Sequence, residues 1–416
     1  MRLLVVSQYF WPENFRINEL VAEWVARGHE VTVLTGRPNY PEGEIFPAYR
    51  EDPSAFESYC GAQVVRVPMR PRGKGSVRLA LNYLSFAFWG TVLGPFKLRG
   101  RQFDAIFVFQ TSPVTAALPA LLLRWIKRAP LAMWVLDLWP DTLSAVGVVR
   151  SPRVLGWVGA LVRFIYRRCD RILVQSRAFF PGIERWLGDV ERVRYFPGWA
   201  EGIFDSALSA VEPAPELAPH GHTFNVMFAG NMGDAQDFPA ILAAAELLRH
   251  REDVRWLIVG DGRAADAVRA EILRRELTAS VALLGRHALE RMPEFFRGAG
   301  ALLVSLKRDP VFAMTIPGKV QTYMAAGVPI LGMLDGEGAR VIEESGAGWV
   351  CAAGDSAGLA TNVAALADLS SAERAAMGER GKAYGVREFD RSALMDRLET
   401  LLSDMTGTPV QGHQKS

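Results

Sequence analysis

The chain has 416 residues, of which 50% are hydrophobic and 22% are charged. This composition is typical of a globular protein with large cores, and the length exceeds that of one ordinary domain, so two domains are expected. The three cysteines lie far apart, without a CxxC or Cys/His spacing, which indicates a reducing compartment and argues against a structural metal site. The first apolar run is shorter than a signal peptide, which favours a cytoplasmic location.

Positive charge is concentrated in the first half of the chain. Residues 1–200 contain 26 Lys and Arg against 16 Asp and Glu, whereas the remainder contains 21 against 29. A basic half of this kind suits an anionic partner. The basic residues alternate with long apolar runs and form no polar stripe, so nucleic-acid binding is not expected.

Strands and helices alternate along residues 1–200. An apolar strand over 3–7, a helix over 17–27 and a strand over 30–35 predict a βαβ unit, and therefore a parallel sheet with a right-handed crossover. The same alternation predicts further strands over 103–109, 131–136 and 171–175, separated by helices over 113–127 and 153–168.

A Pro- and Ala-rich stretch over 201–222 predicts a linker, after which the alternation resumes. The predicted fold is therefore α/β, with one Rossmann-like domain over 1–200 and a second over 223–390. The tail over 406–416 reads as disordered. Ligands of such sheets bind beyond the carboxyl ends of the strands, so a cleft between the two sheets is the expected site.

Residues 79–96 form a run of eighteen residues without a charge, flanked by arginine and lysine on both sides. As a helix the run would extend about 27 Å, which reaches the length of a membrane span. Three interpretations stay open: a spanning helix, a core helix, and an interfacial helix that dips into an anionic membrane. Residues 79–101 are thus a candidate membrane-facing segment. The basic and aromatic segment 150–171 supports the interfacial helix, unless it is a solvated helix face.

A pocket is predicted around residues 315–338. Pro317, Gly318 and Lys319 read as the start of a short helix that Gly327 ends, and a buried strand and an acidic, Gly-rich turn over 335–338 follow. The helix start offers free N–H groups, a partial positive charge and the Lys319 ammonium, which together suit a diphosphate. A plain helix cap is the alternative.

Several segments taken together resemble one enzyme family. They are PENFRINELVAEWVARGHEVTVLTGRPNYPEG, VLDLWPD, FPGW, GNMG, VGDG and IPGKVQTYMAAGVPILGMLDGEGARVIEESGAGWV. Their order and spacing resemble family-four glycosyltransferases, in particular the bacterial surface-polysaccharide branch that includes N-acetyl-L-fucosamine transferases.

The resemblance implies a GT-B fold in which a helix over 391–405 returns to the N-terminal domain. It also implies a retaining transfer, without a metal or other cofactor, from a nucleotide sugar in the C-terminal domain to a lipid-linked acceptor held by the N-terminal one. We expect a UDP donor, a polyprenyl-diphosphate-linked saccharide as acceptor, and a peripheral position on the inner face of the cell membrane.

The resemblance also suggests which residues bind the donor. Gly230, Asn231 and Gly233 match the first turn of the donor domain, although a simple βα turn explains the same small residues. Arg286 falls where the family contacts the base. Lys307 is a second cation for the diphosphate, or else a surface charge. The donor-binding candidates are Gly230, Asn231, Gly233, Arg286, Lys307, Pro317, Gly318, Lys319, Thr322 and Gly338.

The catalytic candidates are three carboxylates. Asp137 in VLDLWPD could orient an acceptor hydroxyl or stabilise positive charge on the reacting sugar. Asp141 could do the same or act as a helix N-cap, and Glu337 could bond sugar hydroxyls. Asn14 and Arg16, expected in the first βα loop, suit a phosphate of the acceptor.

The chain departs from the family pattern at three positions. Many relatives have two glutamates where this chain has Met314 and Thr322, and a histidine where it has Leu136. Because a neutral hydroxyl holds a ribose more weakly than a carboxylate does, a non-catalytic subunit of a transferase complex is one alternative. A sugar-nucleotide 2-epimerase, which also uses two such domains, is another.

Overall fold

The structure is a computed structural model that describes residues 1–73, 75–145, 151–200, 202–204 and 208–407. The chain divides into two compact units. Unit 1 comprises Met1–Phe196 together with the chain from Met395 onward, and unit 2 comprises Pro197–Leu394. Both units contain a parallel sheet with helical crossovers, so the predicted α/β class and the pair of Rossmann-like domains are confirmed.

The sheet of unit 1 has eight strands in the order β3-β4-β2-β1-β5-β6-β7-β8, and every neighbouring pair is parallel except β3 and β4. The central strand β1 is buried on both faces because helices cover both. The strands are β1 (Arg2–Ser7), β2 (Glu30–Thr35), β3 (Ser58–Tyr59), β4 (Ala62–Arg66), β5 (Ala105–Gln110), β6 (Leu131–Val135), β7 (Arg171–Val174) and β8 (Val193–Tyr195).

Seven helices of unit 1 connect these strands within the described residues. They are α1 (Arg16–Ala26), α2 (Pro47–Glu51), α3 (Ser76–Lys97), α4 (Leu118–Lys127), α5 (Asp141–Ala145), α6 (Pro152–Tyr166) and α7 (Phe179–Leu187). The chain crosses from β4 to β5, from β5 to β6 and from β6 to β7 in one direction along the sheet, and from β1 to β2 in the other. Right-handed crossovers therefore place α3, α4 and α6 on one face and α1 on the opposite face.

The long helix α3 has two different faces. Its inward side buries Asn82 and Phe86 completely. Its outward side presents an apolar stripe in which every residue is at least 40% exposed. The stripe residues are Val77, Leu81, Leu84, Phe88, Val92 and Phe96. Among the described residues, only the segment Val77–Lys97 has the length and apolar composition to cross a membrane, and 28% of its apolar window is buried in the fold.

Unit 2 contains a six-stranded, fully parallel sheet in the order β11-β10-β9-β12-β13-β14. Alternate residues of β9 enter two separate cores, Val226 and Phe228 on one face and Met227 and Ala229 on the other. The strands are β9 (Phe224–Ala229), β10 (Val254–Val259), β11 (Val281–Gly285), β12 (Ala301–Ser305), β13 (Ile330–Met333) and β14 (Gly348–Cys351).

Eight helices of unit 2 connect or follow these strands within the described residues. They are α8 (Phe238–Leu247), α9 (Ala265–Arg274), α10 (Met292–Arg297), α11 (Pro310–Ala313), α12 (Gly318–Ala326), α13 (Glu337–Ser345), α14 (Ser356–Asp368) and α15 (Ser371–Phe389). The described part of the predicted linker, 201–222, contains short 3-10 turns.

The last helix, α16 (Arg391–Thr406), packs against the start of the chain. Asp396 accepts from Arg27 Nη1 at 2.5 Å, and Glu399 Oε1 lies 3.0 Å from the Nε2 of His29. These contacts explain why the residues from Met395 onward belong to unit 1. Of the predicted disordered tail, residues 408–416 lie outside the described part of the chain.

Three local predictions were wrong. Residues 335–338 are not a flexible turn, because α13 starts at Glu337 directly after Gly336, whose φ is +72°. Arg16 is the first residue of α1 and does not lie in the loop before it. The predicted helix over 113–127 starts as a 3-10 turn over Val114–Ala117, and α4 begins at Leu118.

Candidate active site

The turns that follow three adjacent strands of unit 2 are bonded to one another. The N–H of Gly230, after β9, donates to the Val259 carbonyl at 2.8 Å, and the N–H of Gly260, after β10, donates to the Gly285 carbonyl at 2.7 Å. The N–H of Met232 donates to the Asp261 carbonyl at 2.9 Å. The GNMG and GDG segments therefore form one ledge at the carboxyl edge of the sheet, where ligands of such sheets bind.

Two glycines are required for this close approach. Gly260 has a φ of +152°, and a side-chain methyl there would overlap the carbonyl oxygen of Gly230. Gly262 has a φ of +156°, and a methyl there would overlap the carbonyl oxygen of Met232. The GDG turn is thus shaped by backbone packing.

We expect Gly260→Ala to destabilise unit 2 by about 1–3 kcal/mol, because the methyl group both strains the backbone and displaces the GNMG segment. Urea unfolding followed by tryptophan fluorescence measures the change. The matched control is Gly221→Ala, since Gly221 has a φ of −65° and a methyl there would meet only an ordinary contact of 3.7 Å. Equal stability of the two variants would contradict the tight packing of the ledge.

Lys319 carries a buried amine that has no hydrogen-bond partner in the described part of the chain. It is the second residue of α12, which begins after Pro317 without a side-chain cap. Part of the side chain is accessible, but Nζ is buried and has no hydrogen-bond partner within the described residues. Nζ lies 3.4 Å from the centre of the Phe228 ring, and the side chain runs against Gly230. Burial lowers the pKa of Lys319 to about 7.

Such an amine is costly for the free protein, because a buried charge is normally paired. Because the lowered pKa lies near neutrality, the neutral form of Lys319 is populated at a pH at which an exposed lysine is fully charged. An anion placed at this point would restore the ammonium and satisfy it. The structure thus brings together Lys319, Gly318, Pro317 and Gly230 of the predicted donor residues.

The remaining donor candidates are spread around this point. The start of α13 packs on Pro317, because a methyl group on Gly338 would overlap its ring. Asn231 is exposed, and its side chain lies beside Gly233. The hydroxyl of Thr322 donates to the Gly318 carbonyl at 3.1 Å, which is a bond within its own helix.

Arg286 and Lys307 are exposed positive side chains. Arg286 directly follows β11, whereas Lys307 follows β12 and lies in the wall of a groove that Gly233 also lines. The third catalytic candidate, Glu337, forms an ion pair of 3.0 Å with Arg340 in the first turn of α13.

Asp137 lies in unit 1, just after β6, in a network of polar side chains. Its carboxylate accepts hydrogen bonds from Trp139 Nε1 at 3.1 Å and from the Thr142 hydroxyl at 2.5 Å. Ser112 also bonds this carboxylate, and the Tyr83 hydroxyl bonds Ser112 in turn. Burial raises the pKa of Asp137, and the three hydrogen bonds oppose this. The carboxylate is therefore held in one orientation, as a catalytic or positioning group must be.

Asp141 has a different environment. It is the first residue of α5, and its carboxylate forms an ion pair of 3.2 Å with the exposed Arg185. The structure therefore places Asp141 four residues from Asp137 but outside the hydrogen-bond network described above.

Of the acceptor candidates, Asn14 is exposed in the loop after β1, and Arg16 is half-buried at the start of α1. The sequence analysis missed their neighbour Glu13. Its carboxylate accepts from the N–H groups of Asn39 at 2.7 Å and Tyr40 at 2.8 Å, and from Phe10 N–H at 3.0 Å. Burial raises the pKa of Glu13 to about 7, against the effect of these bonds.

Glu13 therefore fastens the first loop to the loop after β2. The sequence signal for Glu13 was a carboxylate in the loop that starts a βα unit. Its partners could not be predicted from the sequence, because Asn39 and Tyr40 lie 26 and 27 residues away.

Comparison with known families identifies the chain. Residues 14–199 match a family described as glycosyl transferase 4-like domain, and residues 223–368 match glycosyl transferases group 1. The chain is a glycosyltransferase. The transferase is 27% identical to the glycosyltransferase WbjE of Pseudomonas aeruginosa over 65% of its own length and 68% of that protein. It is 25% identical to WcaI of Escherichia coli, named for colanic acid biosynthesis, over 79% and 82%.

Solved structures show the fold of the transferase. Anabaena HepE in complex with UDP aligns with a TM-score of 0.69 and 15% identity, covering 97% of the transferase and all of HepE. Sucrose-phosphate synthase from Thermosynechococcus elongatus aligns with a TM-score of 0.70 and 15% identity, covering 98% of the transferase and 100% of the synthase. These neighbours are GT-B glycosyltransferases, so the GT-B fold of the transferase is confirmed.

Proposed function

We propose that the transferase moves a sugar from a UDP donor to a polyprenyl-diphosphate-linked saccharide, with retention of configuration and without a metal, in the synthesis of a bacterial surface polysaccharide. The observation that carries the proposal is the buried amine of Lys319, for which the described residues provide no hydrogen-bond acceptor. A diphosphate at the start of α12 would give this amine the anion that it lacks.

The proposed donor site rests on the positive charge at the start of α12 and on the space beside Gly230. The first N–H groups of α12 have no side-chain cap, and the positive end of the helix favours an anion there. A methyl group on Gly230 would crowd the end of the Lys319 side chain, so the absence of a side chain at this position leaves space beside the amine. As the sugar–phosphate bond breaks, charge grows on the diphosphate, and a fixed cation stabilises this charge more than that of the intact donor.

The relatives favour UDP and a polysaccharide product. HepE was solved with UDP and with UDP-glucose, and an Escherichia coli trehalose-6-phosphate protein with UDP-2-fluoro glucose. The name of WcaI refers to colanic acid, a surface polysaccharide. The N-acetyl-L-fucosamine specificity suggested by the sequence motifs stays a prediction.

Asp137 is the proposed acceptor-side group. Its orientation is fixed by Trp139 and Thr142. Burial raises its pKa, which makes the carboxylate a stronger proton acceptor than an exposed aspartate. In the proposed reaction Asp137 orients the attacking hydroxyl of the acceptor. Asp141 and Glu337 are engaged in ion pairs and are therefore less suited to this role.

A lipid-linked acceptor requires contact with a membrane, and one face of unit 1 suits this contact. The helices α3, α4 and α6 follow crossovers on the same face of the sheet. Outside the stripe of α3, they expose Trp125 by 78% and Trp157 by 77%. Arginine and lysine residues lie near these tryptophans in the sequence, which is the composition of a surface that lies at an anionic membrane interface.

The interfacial position of α3 is favoured over a spanning one. Asn82 on its inner side accepts hydrogen bonds from Gln8 Nε2 and the Tyr9 hydroxyl, both at 2.8 Å. A spanning helix would have to break these buried bonds and leave the face of the sheet uncovered. We therefore assign a peripheral, cytoplasmic position on the inner face of the membrane.

Calorimetry with UDP at pH 8 in excess EDTA tests the donor assignment. We expect UDP to bind and to take up close to one proton per site, because Lys319, with a pKa of about 7, is mostly neutral in the free protein and becomes charged beside the diphosphate. At pH 8 the terminal phosphate of UDP is already ionised, since its pKa is about 6. The proton uptake appears as a dependence of the binding enthalpy on the ionisation enthalpy of the buffer.

The outcomes separate the parts of the proposal. Binding that EDTA abolishes would contradict metal independence, and binding without proton uptake would place the diphosphate away from Lys319. A folded protein that binds no UDP would overturn the UDP assignment.

A further inference from the structure

A basic groove of about 430 Å³ opens in unit 1 beside the last turn of α3. One wall is formed by Leu93 and Lys97 of this helix, and the floor by the strand β4. Tyr49 of α2 and Pro53 also line the groove. The groove contains four cationic side chains, Arg37, Arg66, Lys97 and Arg101.

The positive charge of this groove exceeds the negative charge of the acids near it, of which Glu13 interacts electrostatically with Arg66. Within the described part of the chain, none of the four cations has a carboxylate oxygen within 4.0 Å, and Glu57 is the single acidic residue of the lining. The neighbouring Lys127 adds a further ammonium, whose Nζ donates to the Arg101 carbonyl at 2.8 Å. A groove with four cations and one acid attracts an anion.

The guanidinium group of Arg66 contributes part of this positive charge and is partly buried. Its Nη1 donates to the Gly36 carbonyl at 2.8 Å, and its Nη2 donates to the Trp11 carbonyl. Its Nε and the Nη1 of Arg101 are buried, and no described residue provides an acceptor for either. Carbonyl groups satisfy hydrogen bonds but cancel no net charge, so the field of these guanidinium groups stays available to a ligand in the groove.

The groove lies next to the apolar stripe of α3. Val92 and Phe96, the last two residues of the stripe, are exposed by 41% and 73%. They each precede a groove residue, Leu93 or Lys97, and one residue corresponds to about 100° around a helix. Phe96, an apolar side chain suited to a membrane interface, is therefore adjacent in the helix to Lys97, a cation that can receive a phosphate.

We infer that this groove binds the phosphate headgroup of an anionic membrane lipid, an assignment that rests on the membrane docking proposed above. The acyl chains of the lipid would lie along Val92 and Phe96, and Lys97 and Arg37 would contact the phosphate at the mouth of the groove. The bound lipid fixes one edge of unit 1 at the membrane surface. This contact differs from diffuse electrostatic attraction because it depends on particular cations.

Co-sedimentation with lipid vesicles tests the inference. The vesicles contain phosphatidylcholine alone or mixed with phosphatidylglycerol, and the groove variant is Arg37→Gln with Lys97→Gln. The control variant, Arg99→Gln with Arg128→Gln, removes the same charge from exposed residues of the same unit that lie outside the groove. Since a surface charge near a membrane contributes about fivefold to binding, both variants lose some affinity. We expect the groove variant to lose at least about tenfold more than the control.

Several results would overturn the lipid site. Equal losses in the two variants would show diffuse attraction only, and equal binding to both kinds of vesicle would show that anionic lipid is not recognised. If inorganic phosphate raises the unfolding temperature of the intact protein but not of the groove variant, while vesicle binding is the same in both, the ligand is free phosphate.

Failure of the lipid site can be told apart from failure of the proposed function. Loss of all vesicle binding by the intact protein would remove the membrane docking itself, whereas the UDP calorimetry reports on unit 2 alone. Unfolding temperatures of the two variants check their folding, and we expect no large change because all four substituted side chains are exposed.

Discussion

Replacing Lys319 by methionine is expected to weaken UDP binding by about 10- to 100-fold, because it removes a charge-assisted contact of about 1.5–3 kcal/mol to the diphosphate. Methionine keeps the length of the side chain and its contact with the Phe228 ring, so the change in affinity reports the charge. Calorimetry in excess EDTA measures it. Lys307→Met is the matched control, since Lys307 is an exposed cation in the same unit, and a smaller loss is expected there.

The same substitution is expected to stabilise the free protein near pH 7. Burial lowers the pKa of Lys319 from 10.5 to about 7, so the unfolded chain binds more protons than the folded one between these pH values. The stability of the intact protein therefore rises with pH through this window, and the buried amine lowers stability at pH 7 by a few kcal/mol, on the order of the shift. Lys319→Met removes both the destabilisation and this pH dependence.

A second variant separates the positive charge of Lys319 from its ability to lose a proton. Lys319→Arg keeps a charge that cannot be lost near neutral pH, so proton uptake on UDP binding should disappear. If Lys319→Met binds UDP as tightly as the intact protein, or is less stable at pH 7, then Lys319 is a structural residue of α12 and the donor lies elsewhere. A gain in stability with a loss of binding is the pattern expected of a functional site.

The architecture could be predicted because it depends on local periodicity. The strands of both sheets are short apolar runs between amphipathic helices, and parallel sheets require this pattern. The long helix was visible as an uncharged run, and the structure extends it to Ser76–Lys97. Glu337 shows where local sequence patterns fail to predict the structure. Asp-Gly-Glu-Gly is typical of a turn, yet Gly336 alone makes the turn and α13 starts at the next residue.

The site could be predicted only in outline, since burial of a polar group depends on residues far along the chain. Lys319 was recognised as a cation at a helix start, but its contact with Phe228 and the resulting pKa were not predictable. Asn82 lies inside an apolar run, and its partner Gln8 is 74 residues away. Long-range pairs of this kind leave no periodic signal in a single sequence. Thr322 seemed free to hold a ribose, whereas its hydroxyl bonds the Gly318 carbonyl.

The double variant Leu84→Ser with Phe88→Ser is expected to lower the affinity for anionic vesicles by about 30-fold or more. Both side chains lie in the middle of the stripe, exposed by 57% and 58%. Their transfer into the membrane interface contributes about 2–3 kcal/mol in total if burial stabilises by about 25 cal/mol per Å². Co-sedimentation at fixed salt measures the loss. Because the residues are exposed, the unfolding temperature should change little.

The matched control for the stripe is a pair of exposed leucines on helices of unit 2. Leu247→Ser with Leu273→Ser changes side chains exposed by 54% and 62% but leaves unit 1 intact. If both double variants lose the same affinity, the contact with lipid is not specific to α3. If only the stripe variant loses affinity, α3 lies at the interface with Asn82 still bonded to Gln8 on its inner side. The same helix would then join the membrane surface to the loop that contains the acceptor candidate Asn14.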